Sequence, residues 1–572
     1  MQSRPNSNGI SSIASGRWLE HSRHRFLVAI LVGGLSGFGF APYFMLPLAY
    51  FGLCALALLI RQSRSVFAAF LVGWAFGLGQ FIVGLNWITE SFAVEAERFG
   101  VLAWPAVIVL SAFLAVFPAI AAMAARCLGG RSSGALIVLP ATWTMAEMAR
   151  GAILTGFPWN LIGYIWGFSN EILQTVSVVG IYGLGLLTLL AATMPLLLIG
   201  KLRLGILPAA LVFVLTPLVV FAVLWSAGKW RLEAVDVADN GERVRIVQPN
   251  IPQTQKWEPS EARGILDKLH ALSTSGDASR PLYVIWPETA YPFLFETDRE
   301  IPPILLAAIP SGGLLITGAV REVAGRSPED PALLNSLLAL DDKGGVIADY
   351  DKVRLVPFGE FTPFKSVLGA MKMTIGDIDY SPGRSDMPIQ LAALPAARIL
   401  ICYEAIFPRV GNDNARWILN ITNDAWFGLS AGPYQHFLAA RVRAIEAGLP
   451  LIRAANSGIS AIVDGYGRVK DLLPLNVSGV IDGALPAPVK SEIVFVRLGN
   501  KPLVAIMALL VAAGAITQRG SGRKRMDCSG FSGLNRPAGR LLLVSKPIAR
   551  CDWSLVASGR CSRFHPSSGP HP

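Results

Sequence analysis

Apolar residues dominate the first 230 positions, and a different rhythm follows. Seven apolar stretches of spanning length can be drawn there, at 26–41, 44–60, 66–85, 101–125, 134–150, 171–199 and 204–226. A helix needs about 20 apolar residues to cross a bilayer, so the first two are short, and Ala41-Pro42 between them predicts a tight hairpin. An eighth apolar run covers Pro502 to Thr517. Between residues 228 and 500 polar and charged residues return. Short β-rich runs there read as strands: Val244–Val247, Leu282–Ile285, Leu314–Ile316, Ser336–Leu340, Arg398–Ile401, Trp417–Ile421, Leu451–Ile452 and Ser460–Val463. Residues 258–275, 297–309 and 434–448 carry helical periodicity. Strands alternating with helices make a layered α/β domain. The expected division is a polar, disordered N-terminus (1–24), a membrane domain of seven transmembrane helices (25–227), an α/β domain (228–500), a last transmembrane helix (501–518) and a disordered tail (519–572).

Composition agrees with membrane residence. The 572 residues are 52% hydrophobic and 16% charged, with mean hydropathy +0.48, whereas soluble chains carry about a quarter charged residues. The net charge of +11 does not mark a nucleic-acid partner, because its basic clusters sit between apolar runs and at the two ends. Arg61-Gln-Ser-Arg64, Arg126 with Arg131, and Lys201-Leu-Arg203 occupy every second loop, and Arg519, Arg523, Lys524 and Arg525 follow the last run. The positive-inside rule puts these loops and both termini in the cytoplasm. The loops near 86–100 and 151–170 and the whole α/β domain then face outward. Arg23-His-Arg25 precedes an apolar run without a clear cleavage site, so no cleavable signal peptide is expected. The cysteines at 54, 127, 402, 528, 551 and 561 show neither paired nor metal-binding spacing. No metal and no cofactor are expected.

Three stretches of the α/β domain carry candidate chemistry. Ile399-Leu-Ile-Cys402-Tyr403-Glu404 is a buried strand ending in a thiol. Taken alone, Cys402 is either a structural cysteine, the commoner fate, or a nucleophile held still by its strand. Tyr283-Val-Ile-Trp-Pro-Glu288 is a second strand ending in a carboxylate, and Lys352 is followed eight residues on by Glu360. Such a set suits acyl transfer through a thioester. The thiol needs a base, which Glu288 can be, and the tetrahedral oxyanion needs a cation, which Lys352 can be.

The WPE, DKxxLVPFGE and CYE runs, in this order, resemble the Glu-Lys-Cys triad of the nitrilase superfamily. With the flanking segments, most of residues 25–516 resembles the apolipoprotein N-acyltransferase family of bacterial inner-membrane enzymes. The resemblance implies an α-β-β-α sandwich on a polytopic helical membrane domain of about eight spans, with the sandwich in the periplasm. It implies Glu288, Lys352 and Cys402 as catalytic residues, with Glu360 and Glu404 supporting them and Asn335 near the pocket. The backbone N–H of Tyr403 would be a second oxyanion donor, and its ring either lines an acyl channel or only flanks the site. Gln248–Trp257 matches a loop that carries Trp257 over the pocket. Phe361, Phe364 and Val367–Met371 form an apolar loop that either touches the membrane or packs on the domain's own core. The implied partners are a membrane phospholipid as acyl donor and a diacylated apolipoprotein as acceptor, served by a monomer.

Other residues stay open at this level. Glu147 and Arg150, at the end of the fifth span, are either functional or interfacial markers. Trp87 lines the outer mouth or belongs to the aromatic belt. His436 is a tempting base, but a lone helical histidine is more often packed. Two competing functions use the same features. A membrane-tethered amidase would employ the same triad with water, though one span suffices to tether. A transporter with a sensor domain would show paired intramembrane charges or broken repeats, which the pattern lacks.

Overall fold

Each apolar stretch before residue 230 is helical in the computed structural model, which describes residues 22–202, 204–234, 239–276, 281–295, 302–327, 330–363, 379–408 and 414–529. The membrane helices are α1 (Ser22–Gly37), α2 (Leu46–Gln62), α3 (Val66–Gly84), α4 (Ala103–Leu114), α5 (Val116–Gly129), α6 (Gly134–Arg150), α7 (Val176–Leu202) and α8 (Ile206–Glu233). Among the described residues, five helical passages are long and apolar enough to cross a membrane: α3, Ala96–Gly129, α7, α8 and Lys501–Arg519. Helices α1, α2 and α6 have 16, 17 and 17 residues, about 24–26 Å at the α-helical rise. The stretch expected as one helix at 101–125 is two, α4 and α5, abutting at Ala115. Small residues set the closest crossing. A Cβ on Gly33 of α1 would lie 2.0 Å from the Phe76 carbonyl oxygen of α3, and one on Gly79 of α3 would lie 2.1 Å from that of Ile30. Helix α8 shows why the bundle needs lipid. Only Pro217 and Gly228 of its 28 residues are buried, and Leu207, Leu211, Leu218 and Val223 are all more than half exposed.

The α/β domain holds two sheets. The first has the order β13-β1-β2-β4-β5-β6 with β3 on β4, and the second β12-β11-β10-β9-β8-β7. Strands of the first are β1 (Asp239–Gln248), β2 (Tyr283–Ile285), β3 (Leu294–Phe295), β4 (Leu314–Ser327), β5 (Asp330–Asp341), β6 (Val346–Asp351) and β13 (Gly479–Pro486). Those of the second are β7 (Ile389–Leu391), β8 (Leu394–Ile401), β9 (Trp417–Thr422), β10 (Leu451–Ala455), β11 (Ser460–Val463) and β12 (Val469–Leu473). Side chains alternate across each sheet. Ile399 and Ile401 of β8 face the other sheet, packing with Ile246, Ile285 and Ile316. Leu400 faces outward onto Ala440 and Ala444 of α11 (Gly432–Ala447). On the far side Val284, Trp286 and Leu315 pack on α9 (Ala262–Thr274) and α10 (Pro303–Ala308). These are the four layers of the α-β-β-α sandwich.

The helix expected at 297–309 is shorter, because α10 starts at Pro303 and residues 297–301 lie outside the described residues. The final helix, α12 (Lys501–Ser529), runs past the expected end of the last span, and α1 begins inside the stretch expected to be disordered. Residues 1–21 and 530–572, Phe364 and Val367–Met371 lie outside the described residues. The chain divides into two compact units, Met1–Gly522 and Arg523–Pro572; of the second, residues 523–529 are described and helical.

The sandwich packs on the membrane helices through α11 and the segment after Cys402. Leu438, Ala439, Val442 and Ile445 of α11, with Tyr403, Ile406 and Phe407, belong to the same apolar core as the bundle.

Candidate active site

Strand ends carry the reacting groups. Glu288 follows β2, Lys352 follows β6, Cys402 follows β8, Asn423 follows β9, and Asn335 projects from β5. At Cys402 the chain leaves the sheet abruptly, with φ of +47°, a left-handed conformation that costs about 1–2 kcal/mol for a residue with a Cβ. Strain of this kind persists only where surrounding contacts hold it. Here His436 of α11 supplies one. Its Nε2 lies 2.9 Å from the Cys402 carbonyl oxygen and its Nδ1 2.8 Å from Asp424 Oδ1. A carbonyl only accepts, so the bond to Cys402 requires a proton on Nε2. Arg453 donates to Asp424 Oδ2 at 2.7 Å. Burial would raise the Asp424 carboxyl, but Arg453 and His436 outweigh it and bring it to about 2. His436 is thus a packed residue engaged with the backbone of Cys402.

The structure brings Glu288, Lys352, Glu360 and Asn335 into one buried cluster. Lys352 Nζ donates to Glu288 Oε1 at 3.2 Å and to Glu360 Oε1 at 2.9 Å. Asn335 Nδ2 donates to both carboxylates at 2.8 Å. The Asn423 N–H donates to Glu288 Oε2 at 2.9 Å, and the Val356 N–H to Glu360 Oε2 at 2.8 Å. Burial pushes the Glu288 carboxyl up, yet Lys352, Asn335 and Lys256 together hold it below the usual range. Lys352 is depressed by burial and raised more by Glu288 and Glu360, so it stays an ammonium. The Cys402 thiol is pushed up by burial and further by the Glu288 carboxylate, against Lys352 and a Thr422 hydrogen bond. At rest the site therefore holds a neutral thiol beside an ionised carboxylate, and proton transfer between them is uphill until sulfur forms a bond to carbon.

Glu404 lies near the Lys352 charge but spends its hydrogen bonds on the main chain. Its carboxylate accepts from the N–H groups of Ile401, Val353 and Arg354 at 2.8–3.1 Å, and from the Tyr350 hydroxyl at 3.1 Å. It clamps the chain on either side of the site instead of touching Lys352. Trp257 and Phe361 are half-buried. Tyr403 reaches into the membrane domain, where its hydroxyl donates to the Gly156 carbonyl at 2.7 Å.

The outward loop at 151–170 is held by charges from its own helix. Arg150 donates to the carbonyls of Phe157 and Trp159, both at 2.7 Å, and Glu147 accepts from the Ile162 N–H at 3.0 Å. Both side chains are buried and serve the loop's shape, so neither is an interfacial marker. Trp159 in turn donates to Gln435 of α11 at 2.6 Å and packs on Trp87, which is buried and no belt residue. Its ring also lies 5.8 Å from that of His436.

Residues 32–194 match the apolipoprotein N-acyltransferase N-terminal domain, and residues 243–491 match the carbon-nitrogen hydrolase family. The apolipoprotein N-acyltransferase of Rhodopseudomonas palustris is 37% identical over 540 residues, spanning 90% of this chain and 99% of that relative. The chain belongs to the apolipoprotein N-acyltransferase family. The Brucella melitensis member is 41% identical over 441 residues, covering 74% of this chain and 81% of its own. The Bradyrhizobium diazoefficiens member is 38% identical over 511 residues, with coverages of 85% and 94%.

Three contributors to this family site escaped the motif reading: Asn423, Asp424 and Lys256. The first two follow an apolar strand directly, as Cys402 and nearly Glu288 do, and that shared placement was the available signal. Lys256 precedes Trp257 in a polar run and carries no such mark.

Proposed function

We propose that this acyltransferase moves an acyl chain from a membrane phospholipid, through a thioester on Cys402, to the α-amino group of an apolipoprotein's N-terminal diacylglyceryl-cysteine. The attacking Cys402 sulfur gives its proton to Glu288 as the bond to the ester carbon forms. Lys352 and the Tyr403 N–H stabilise the oxyanion. Collapse expels the lysophospholipid alkoxide, which takes the proton back from Glu288. The acceptor amine then attacks the thioester, its proton passes to Glu288, and the Cys402 thiolate leaves and is reprotonated. Glu360 and Asn335 keep Glu288 and Lys352 ionised and aligned, and Glu404 fixes the segment after Lys352. Trp257 and Phe361 line substrate access.

The observation that carries this reading is the junction. The segment beginning at the nucleophile packs into the core of the membrane helices, with Tyr403 hydrogen-bonded to Gly156. A nucleophile whose following segment is built into the core of the membrane helices favours a lipid ester over a soluble amide. The Lys/Arg loop asymmetry supports an inner-membrane protein whose catalytic domain faces the periplasm. Intact-mass analysis after incubation with phospholipid tests the reading. An acyl adduct on the wild type, absent from Cys402→Ala, is expected; no adduct on the wild type refutes it.

A further inference from the structure

The motif cation is already spoken for. Lys352 lies between the carboxylates of Glu288 and Glu360, so two carboxylates against one ammonium leave an uncompensated negative charge. All three residues are between 1% and 8% exposed. Thioester chemistry keeps that negative charge in the site and moves it: as the thiol proton passes to Glu288, the charge leaves the carboxylate and appears on the tetrahedral oxygen. An uncompensated negative charge in a dry site is costly to hold, and a further cation lowers that cost.

One is present. Lys256 comes from the segment between β1 and α9 and is 4% exposed. Its Nζ donates to the main-chain carbonyl of Glu288 at 3.0 Å, its one hydrogen bond among the described residues. An ammonium has three donors, so that bond leaves two for other partners. The segment around it is anchored to the same site: Gln253 accepts from Asn423 at 2.7 Å, and the Ile251 N–H donates to Asn456 at 3.0 Å. We propose that Lys256 is the second cation of the active site, fixing the main chain of Glu288 and balancing the negative charge that develops when Cys402 attacks the ester. The proposal rests on the thioester reading above. The charged and titratable groups around Lys256 are Glu288 and Cys402, with Lys352 and Glu360 beyond Glu288 and with Asp424 and Tyr380 at the edges of the cluster.

Burial pulls the Lys256 ammonium down to about 8, against Glu288 and Cys402, which pull it up. Its charge is therefore present below pH 8 and lost above it. Acyl-enzyme formation should then decline as pH rises through about 8, although a rising fraction of thiolate alone would speed it. The test measures the rate of acyl-enzyme formation by the full-length protein in detergent with phospholipid, from pH 6 to 9.5. Lys256→Gln keeps a donor for the Glu288 carbonyl but no charge. It should acylate roughly a hundredfold more slowly at pH 7, the scale of one lost transition-state donor, and show no alkaline decline. Lys256→Arg should hold its rate to higher pH than the wild type. A merely structural lysine would lower melting temperature without moving these profiles. A wild type whose rate does not fall above pH 8 overturns the proposal, as does a Lys256→Gln profile within threefold of wild type throughout. Neither result touches the thioester reading, which fails only if the wild type forms no adduct at Cys402.

Discussion

Replacing Lys352 by Met removes a buried ammonium from between two carboxylates and separates the two tasks of the site. Deleting one partner of a buried charge cluster costs about 3–5 kcal/mol, because the stranded charges stay out of water. The cluster can relieve itself by binding one proton. Glu288 would keep Asn335 Nδ2, the Asn423 N–H and the nearby Lys256 charge, and Glu360 would keep Asn335 Nδ2 and the Val356 N–H. With these contacts kept, Glu288 stays a base. Alkylation of Cys402 by iodoacetamide passes through no oxyanion, so it loses only the help Lys352 gives the thiolate, about tenfold or less if that help is near one pKa unit. Acyl transfer does pass through an oxyanion and should fall about 10²–10³-fold, or 2.7–4 kcal/mol. Both rates are read by intact mass on the same detergent-solubilised preparation. Equal losses in the two assays, or acyl-enzyme formation within tenfold of wild type, would refute the division of roles.

Cys402→Ala and Cys402→Ser should abolish the acyl adduct, while Cys54→Ala and Cys127→Ala leave it unchanged; a fully active Cys402→Ala protein sinks the mechanism. Reporter fusions at residues 240 and 520 should report opposite compartments, and the same compartment at both ends the eight-span topology. The Asp424 carboxyl is held at about 2 in the folded protein, below its ordinary value near 3.9. A depressed acid stabilises the fold above its unfolded value and loses that contribution as pH falls through the folded one, here between about pH 4 and 2 and worth about 2.5 kcal/mol. Melting temperatures from pH 5 to 2.5 should therefore fall more steeply for the wild type than for Asp424→Asn, and parallel curves would show that the Arg453–Asp424–His436 chain does not support the fold in this way.

Local pattern determined much of this protein. Continuous apolar runs named the membrane helices, because a helix in lipid must be apolar on its outer face whatever packs inside. Alternation and short buried runs named the central strands, and the WPE, DKxxLVPFGE and CYE runs named the residues at their ends. The strands that escaped lie toward the sheet margins. β12 is Val-Lys-Asp-Leu-Leu with nearly every side chain exposed, so it presents no buried face to read, and β13 buries Ile481 and Leu485 but contains two glycines and a proline that interrupt the strand pattern.

Tertiary structure alone decided the rest. A lysine in a polar stretch reads as solvated, and Lys256 becomes a buried cation only because its segment folds over Glu288. His436 stays open between a packed residue and a base until α11 sets its ring on a carbonyl rather than on sulfur. Glu404 sits two residues from the nucleophile yet points at the backbone after Lys352, since the turn at Cys402 carries it there. Glu147 and Arg150 read as possible membrane charges until the loop they hold appears around them. Sequence pattern reports which face of an element is buried. The distance between groups a hundred residues apart, and so the balance of charge around the thiol, is set by how two sheets and a helical bundle pack, and no local pattern carries it.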